Sequence, residues 1–256
     1  MGVLDDVVPV PRRTMVLFFI VDTSGSMAGE KIASLNIAIR EVLPYIDDIS
    51  SSNPDALIKV AALEFSSGCE WMYPQPMEAK DFVWRDLEAG GLTSLGEACK
   101  EINGKLSKKE FMQSATGSYA PAFILLSDGD PTDDYKFELE KLKGNPWFKA
   151  GIKTAIAIGD ECENKEVLAD FTGTKEGVFT VHNKEHLKKI IRFVSITSSQ
   201  VASKSSSVGT DAPATKQEEL TEKLKETVEQ NPDFVGVDMG TEKSDTPDEW
   251  GDGAGW

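Results

Sequence analysis

The stretch that most constrains this 256-residue chain is MVLFFIV, residues 15–21, seven apolar residues that stop at Asp22. Such a run is too short to cross a membrane, and it lacks the polar alternation of a half-exposed strand. It reads as a strand buried on both faces, the kind a parallel sheet requires. A strand of that sort can present polar chemistry only where it ends. This one ends in Asp22-Thr23-Ser24-Gly25-Ser26, a sharp turn ahead of a helical pattern. Asp22, Ser24 and Ser26 lie two residues apart, and in an extended turn that spacing aims their oxygens the same way. A carboxylate and two hydroxyls are hard donors, suited to Mg2+ or Mn2+ rather than to zinc. Capping of the next helix is the alternative use of Asp22 or Ser24.

Beyond this turn, apolar strands alternate with helical patterns. Residues 29–49 place Ile32, Leu35, Ile39, Val42, Leu43 and Ile46 at helical spacing. Pro44 lies inside that pattern and is expected to kink or end the helix. Residues 57–65 form a second strand, which turns through Ser66-Ser67-Gly68 into a short strand at 69–73. Residues 81–87 fit helix or strand equally. The glycine-rich loop 90–96 leads to a helix expected over 95–112, with Ala98, Ile102 and Leu106 inward. Ser94 and Glu97 match a capping box, which leaves Thr93 free. Residues 122–128 are a further buried strand, AFILLSD, again ending in an aspartate. Helices at 134–143, 165–171 and 185–196 and strands at 152–159 and 178–181 complete the alternation. The pattern is that of an α/β protein: a Rossmann-like, open, mostly parallel, doubly wound sheet with helices on both faces. In such sheets ligands bind outside the carboxyl ends of the strands. Asp22 and Asp128 both end strands and Thr93 begins a helix, so the three loops can converge on one site.

Composition divides the chain. Residues 1–13 read as a loose arm, with Asp5 and Asp6 where a secretory leader would be basic. Residues 14–198 form the domain, and 199–256 a linker and acidic tail with a helix expected at 215–230. The formal net charge is −16, and residues 201–256 carry 13 acidic residues against 5 lysines. That balance argues against nucleic acid or an anionic membrane as partner. Disorder is expected over residues 231–256. Phe234, Val235, Val237, Trp250 and Trp256 are unusual in a solvating tail and read as anchors for a partner groove. Cys69, Cys99 and Cys162 are odd in number and widely spaced, which reads as reduced thiols in a cytoplasmic protein.

Taken together, Asp22-Thr-Ser24-Gly-Ser26, Thr93 in its glycine-rich loop and Ser127-Asp128-Gly129 resemble the von Willebrand factor A domain and its metal-ion-dependent adhesion site, over about residues 14–198. The Leu126–Asp134 and Gly91–Glu97 segments look closest to the bacterial TerY-like branch, associated with tellurium-resistance gene clusters. Leu92 departs from the small residue expected beside Thr93. The resemblance implies that Ser24 and Ser26 bind Mg2+ or Mn2+ directly, with Thr93, Asp22 and Asp128 binding directly or through water. It implies a protein partner that supplies an Asp or Glu to the metal. For the TerY-like branch it further implies the company of a Ser/Thr kinase and a PP2C-type phosphatase. Thr241, Ser244 and Thr246, set among acids, would then be modified or would contact such a partner.

Three other functions compete. A VWA subunit of an AAA+ ATPase machine shares the metal site and differs in its partner. The chain has no GxxxxGK[ST] of its own. A Mg-dependent phosphohydrolase of the haloacid dehalogenase kind needs a second Asp two residues after Asp22. That position is Ser24, and no lysine stands out as a phosphate partner. A serine hydrolase lacks the GxSxG elbow, and His182 and His186, the only histidines, read as packing or surface residues. The sequence therefore reads as a non-enzymatic docking module.

Overall fold

The computed structural model describes residues 11–159, 165–203 and 216–240. Thr241, Ser244, Thr246, Trp250 and Trp256 lie outside the described residues, as do residues 1–10 of the arm. In chain order the elements are β1 (Arg13–Asp22), α1 (Glu30–Ser52), β2 (Ala56–Phe65), β3 (Cys69–Trp71), β4 (Met77–Glu78) and α2 (Leu95–Lys105). Then follow β5 (Ala122–Ser127), α3 (Tyr135–Lys143), α4 (Pro146–Ala150), β6 (Ile152–Ile158), α5 (Lys165–Thr172), β7 (Val178–Val181), α6 (Lys184–Ala202), α7 (Lys216–Gln230) and β8 (Asp238–Met239). The sheet order is β3-β2-β1-β5-β6-β7-β8, with β4 against β2. β2, β1, β5, β6 and β7 are parallel, and the short strands β3, β4 and β8 are antiparallel. This is the expected doubly wound α/β architecture. No described helix is long and apolar enough to cross a membrane.

β1 explains the continuous apolar run. Met15, Leu17, Phe19 and Val21 enter one core with α1, α6 and α7. Val16, Phe18 and Ile20 enter a second core on the opposite face with α2, α3, α4 and α5. From Met15 to Val21 neither face meets water, so this run carries no polar residue. In the second core Phe18, Phe123, Phe148 and Phe171 form a chain of rings with centroids 4.9 to 5.3 Å apart. β1 has β2 on one side and β5 on the other, so the order of the sheet reverses there, and the crevice beside it opens at the carboxyl edge.

Several elements differ from the sequence expectations. α1 does not end at Pro44 but runs to Ser52. Pro44 is exposed, so the Arg40 carbonyl that loses its partner is also on an exposed residue. The last turn is tied down: Ile58 N donates to Ser50 Oγ at 2.9 Å, and Arg12 donates to the Ser50 carbonyl at 2.6 Å. α2 stops at Lys105 rather than continuing to 112, because the chain turns back through the Phe111 N to Lys105 carbonyl bond. That turn lays Phe111 against Trp71 at 4.7 Å. Residues 81–87 are neither helix nor strand. They bury Phe82, Trp84 and Leu87 alternately, and Asn36 of α1 accepts from Trp84 Nε1 and from Leu87 N.

The largest difference is at the C-terminal end. α6 continues past 196 to Ala202, and α7 inserts Leu220 and Leu224 into the first core with no exposed surface. Residues 231–240 were expected to be disordered, but they form a tight turn over 232–234 and the edge strand β8. Phe234 and Val237 anchor within this chain, Phe234 beside Phe193 at 5.2 Å, while Val235 between them is exposed. β8 runs antiparallel to β7, so Gly240 lies beside Val178 at the amino end of that strand.

Leu224→Ala should therefore cost about 2–5 kcal/mol in denaturant unfolding, as for a core residue, where a solvated appendage would cost nothing measurable. Lys153 gives a pH signature. Its Nζ donates to the Phe148 and Gly151 carbonyls, and burial lowers its pKa from 10.5 to about 8. Between those values the unfolded chain holds more protons than the folded one, so stability rises with pH across this window. Urea unfolding at pH 7 and pH 9.5 should show the native chain gaining stability relative to Lys153→Met.

Candidate metal centre

The site is built where β1 and β5 end side by side. Val21 pairs with Leu126, which brings Asp22 level with Ser127. Ser127 Oγ donates to Asp22 Oδ2 at 2.6 Å, and Ser24 N donates to Asp22 Oδ1 at 2.8 Å. Both carboxylate oxygens are thus held, and the second bond closes the turn. Ser24 Oγ and Ser26 Oγ are 3.0 Å apart, and Ser26 Oγ donates to Asp128 Oδ1 at 2.7 Å. Asp22, Ser24, Ser26 and Asp128 therefore form one connected cluster. None of them caps α1, whose N-cap is Gly29.

The loop that carries Thr93 is bonded to the turn at residues 23–25. Gly25 N donates to the Gly91 carbonyl at 3.1 Å, and Gly90 N to the Thr23 carbonyl at 2.8 Å. Gly91 has a φ of +85°, and a Cβ there would lie 2.6 Å from Ser67 Oγ, so the close approach requires glycine. Ser67 Oγ in turn accepts from Leu92 N at 3.0 Å. Leu92 is 58% exposed beside the site. On the far side the loop is clamped to the Asp128 loop: Thr132 N donates to the Thr93 carbonyl at 2.9 Å, and Thr93 N donates to Thr132 Oγ1 at 3.1 Å.

The cap of α2 is not the expected one. Ser94 makes no side-chain cap, and Asp133 accepts from Gly96 N at 3.1 Å and Glu97 N at 3.2 Å. An aspartate 36 residues away in sequence from Glu97 thus satisfies the helix N-terminus and fixes the Thr93 and Asp128 loops against each other. Gly96 allows this, since a Cβ there would lie 2.8 Å from Asp133 Oδ2.

Sequence reasoning missed Lys31. This residue, on the first turn of α1, is 1% exposed, and its Nζ donates to Asp128 Oδ2 at 2.8 Å and to the Ser26 carbonyl at 3.4 Å. The i+9 spacing from Asp22 gave no signal, because only the turn at 25–29 folds α1 back over the loop. Among the described residues neither histidine bonds to the cluster. His182 Nε2 lies 3.0 Å from Asp238 Oδ2, joining β8 to the sheet, and His186 packs against its N-cap Asn183.

The donor set fits a hard divalent cation. The cluster supplies two carboxylates and the hydroxyls of Ser24 and Ser26, and the Thr93 hydroxyl would be added from the adjoining loop, all oxygen. Both carboxylates are buried, Asp22 wholly so and Asp128 to 1% exposure. Burial raises the Asp22 pKa to about 6, against the opposing hydrogen bonds from Ser127 and Ser24, with Asp128 adding a smaller upward push. An anion so poorly solvated gains from a nearby cation. Among the described residues no group of three or more His, Cys, Asp and Glu comes together to hold a metal, so this cluster, with two carboxylates, would rely on hydroxyl oxygens as well.

Residues 17–193 match the von Willebrand factor type A domain family. Among solved structures, the chain resembles the von Willebrand factor type A protein from Catenulispora acidiphila at 18% identity and TM-score 0.54, covering 73% of this chain and 43% of that one. Proximal thread matrix protein 1 from the mussel byssus, in a structure with a zinc-occupied MIDAS motif, is similar at 20% identity and TM-score 0.54, covering 75% and 47%. The pilus adhesin SpaC from Lactobacillus rhamnosus GG, in its open conformation, is similar at 13% identity and TM-score 0.57, covering 74% and 30%. This chain thus spans less than half the length of each, and at these identities the likeness is one of fold. No curated protein matches.

Adding Mg2+ or Mn2+ to chelator-treated protein should raise its melting temperature, the underlying stabilisation being about 2.7 kcal/mol at a hundredfold excess over Kd. Asp22→Ala should keep its circular dichroism spectrum, since the two cores supply the stability, and lose the metal-induced shift.

Proposed function

This chain belongs to the von Willebrand factor type A domain family, and we propose that it is a docking module that holds a protein partner's Asp or Glu through a divalent cation, Mg2+ or Mn2+. The observation that carries the reading is the hydrogen-bonded cluster of Asp22, Ser24, Ser26 and Asp128 at the carboxyl edge, with the Thr93 loop clamped beside it. Ser24, Ser26 and Thr93 would hold the ion directly, and Asp22 and Asp128 directly or through water. A bound divalent ion supplies Lewis acidity toward a carboxylate oxygen. The protein's part is to supply neutral donors. Three hydroxyls add no negative charge, so little of the ion's charge is cancelled. Ser127 and Lys31 hold the two aspartates in place, so a partner meets a formed site.

Docking rather than catalysis follows from the groups at hand. Ser24 occupies the place where a phosphohydrolase of the haloacid dehalogenase kind needs an acid, and it carries no transferable proton at neutral pH. The structure does bring a lysine to the site, but Lys31 faces Asp128 rather than Asp22. The TerY-like likeness of the Thr93 and Asp128 loops supports a bacterial phosphorylation-linked stress or defence setting. There the partner would be a Ser/Thr kinase or a PP2C-type phosphatase, and Thr241, Ser244 and Thr246 would be substrates or contacts. We place the protein in the cytoplasm. Cys69 and Cys99 are free, and burial pushes their pKa values to about 11 and about 12, so both stay protonated and unreactive.

The test is a pull-down from native lysate with Mg2+ and Mn2+ in one arm and EDTA in the other. A partner retained only with metal, and lost with Asp22→Ala, is the expected result. A kinase or phosphatase there supports the phosphorylation-linked setting, and an AAA+ ATPase replaces it. A partner held equally in EDTA contradicts metal-mediated docking.

A further inference from the structure

A lysine buried to 1% exposure must be paired, and Lys31 is paired with a group that the metal reading also needs. Its Nζ donates to Asp128 Oδ2 at 2.8 Å, while Asp128 Oδ1 accepts from Ser26 Oγ at 2.7 Å. Neither side chain of the ion pair is more than 2% exposed, so water screens it little. One positive charge is therefore built into the cluster, in direct contact with one of its two carboxylates.

We propose that Lys31 is a resident counter-charge that sets how strongly the site holds a divalent cation. The proposal rests on the metal reading above. An ammonium on Asp128 draws on the same carboxylate charge that would attract the ion, and it repels the ion across a poorly solvated gap. The protein then holds the metal weakly by itself, and the metal keeps charge for the partner's carboxylate. Cation and partner bind together more tightly than either binds alone. A purely structural role makes the opposite demand: if Lys31 only pins Asp128 to α1, losing it lets Asp128 move and weakens the site.

The test is Mn2+ titration of the full chain at one pH, with free Mn2+ read by electron paramagnetic resonance. The native protein is compared with Lys31→Met, Lys31→Gln and Lys31→Arg. Lys31→Gln keeps a donor to Asp128 without the charge and carries the test if Lys31→Met does not fold. Lys31→Met and Lys31→Gln should bind Mn2+ at least tenfold more tightly than the native protein, while Lys31→Arg should not. Unchanged or weaker binding in the folded neutral variants overturns the proposal and leaves the metal reading standing. No Mn2+ binding by the native protein or any variant overturns the metal reading and this inference with it.

Discussion

A strand packed on both faces can place a polar group only at its end, and this constraint organises the molecule. β1 sends alternate side chains into two separate cores. Asp22 follows with no exposed surface, at the one level where the neighbouring strand also turns polar, at Ser127 and Asp128. The two cores hold the strand ends in fixed register, and that register brings the aspartates from β1 and from the end of β5 into one cluster. The hydroxyl loop and the Thr93 loop only have to close over a position that the sheet has already set.

Burying two carboxylates together is unfavourable, and the protein offsets this in three ways. Hydrogen bonds from Ser24 N and Ser127 Oγ hold Asp22, Ser26 Oγ holds Asp128, and Lys31 contributes a charge. The raised Asp22 pKa shows that hydrogen bonds alone do not balance its burial. Hydroxyl-rich donors with a built-in ammonium suit reversible docking better than permanent metal storage. That distinction links the electrostatics to the proposed function.

Much of this was legible in the sequence because it is local. The apolar run at residues 15–21, the alternate oxygens of Asp22, Ser24 and Ser26, and the second strand ending at Asp128 each state their own geometry. What was not legible depends on contacts between distant segments. Ser94 and Glu97 match a capping box, yet Asp133 caps α2, because Gly96 opens room for a loop from elsewhere. Lys31 looks like one more helix-surface lysine until the turn at 25–29 fixes which face of α1 meets Asp128. Residues 231–240 read as acidic and solvated, but Phe234 and Val237 find a surface that only α6 and α7 create. Pro44 does not end α1 for the reverse reason: tertiary contacts hold the last turn of the helix beyond it.

The central claim is that the oxygens of Ser24, Ser26, Thr93, Asp22 and Asp128 converge on one divalent cation. Anomalous diffraction from a crystal of the full chain grown with Mn2+ tests it most directly. The account predicts one strong manganese peak at the carboxyl edge between β1 and β5, with Ser24 Oγ and Ser26 Oγ at about 2.0–2.2 Å, near the range for hard octahedral ions. A crystal with manganese elsewhere, or with none beside these hydroxyls at saturating Mn2+, would contradict it.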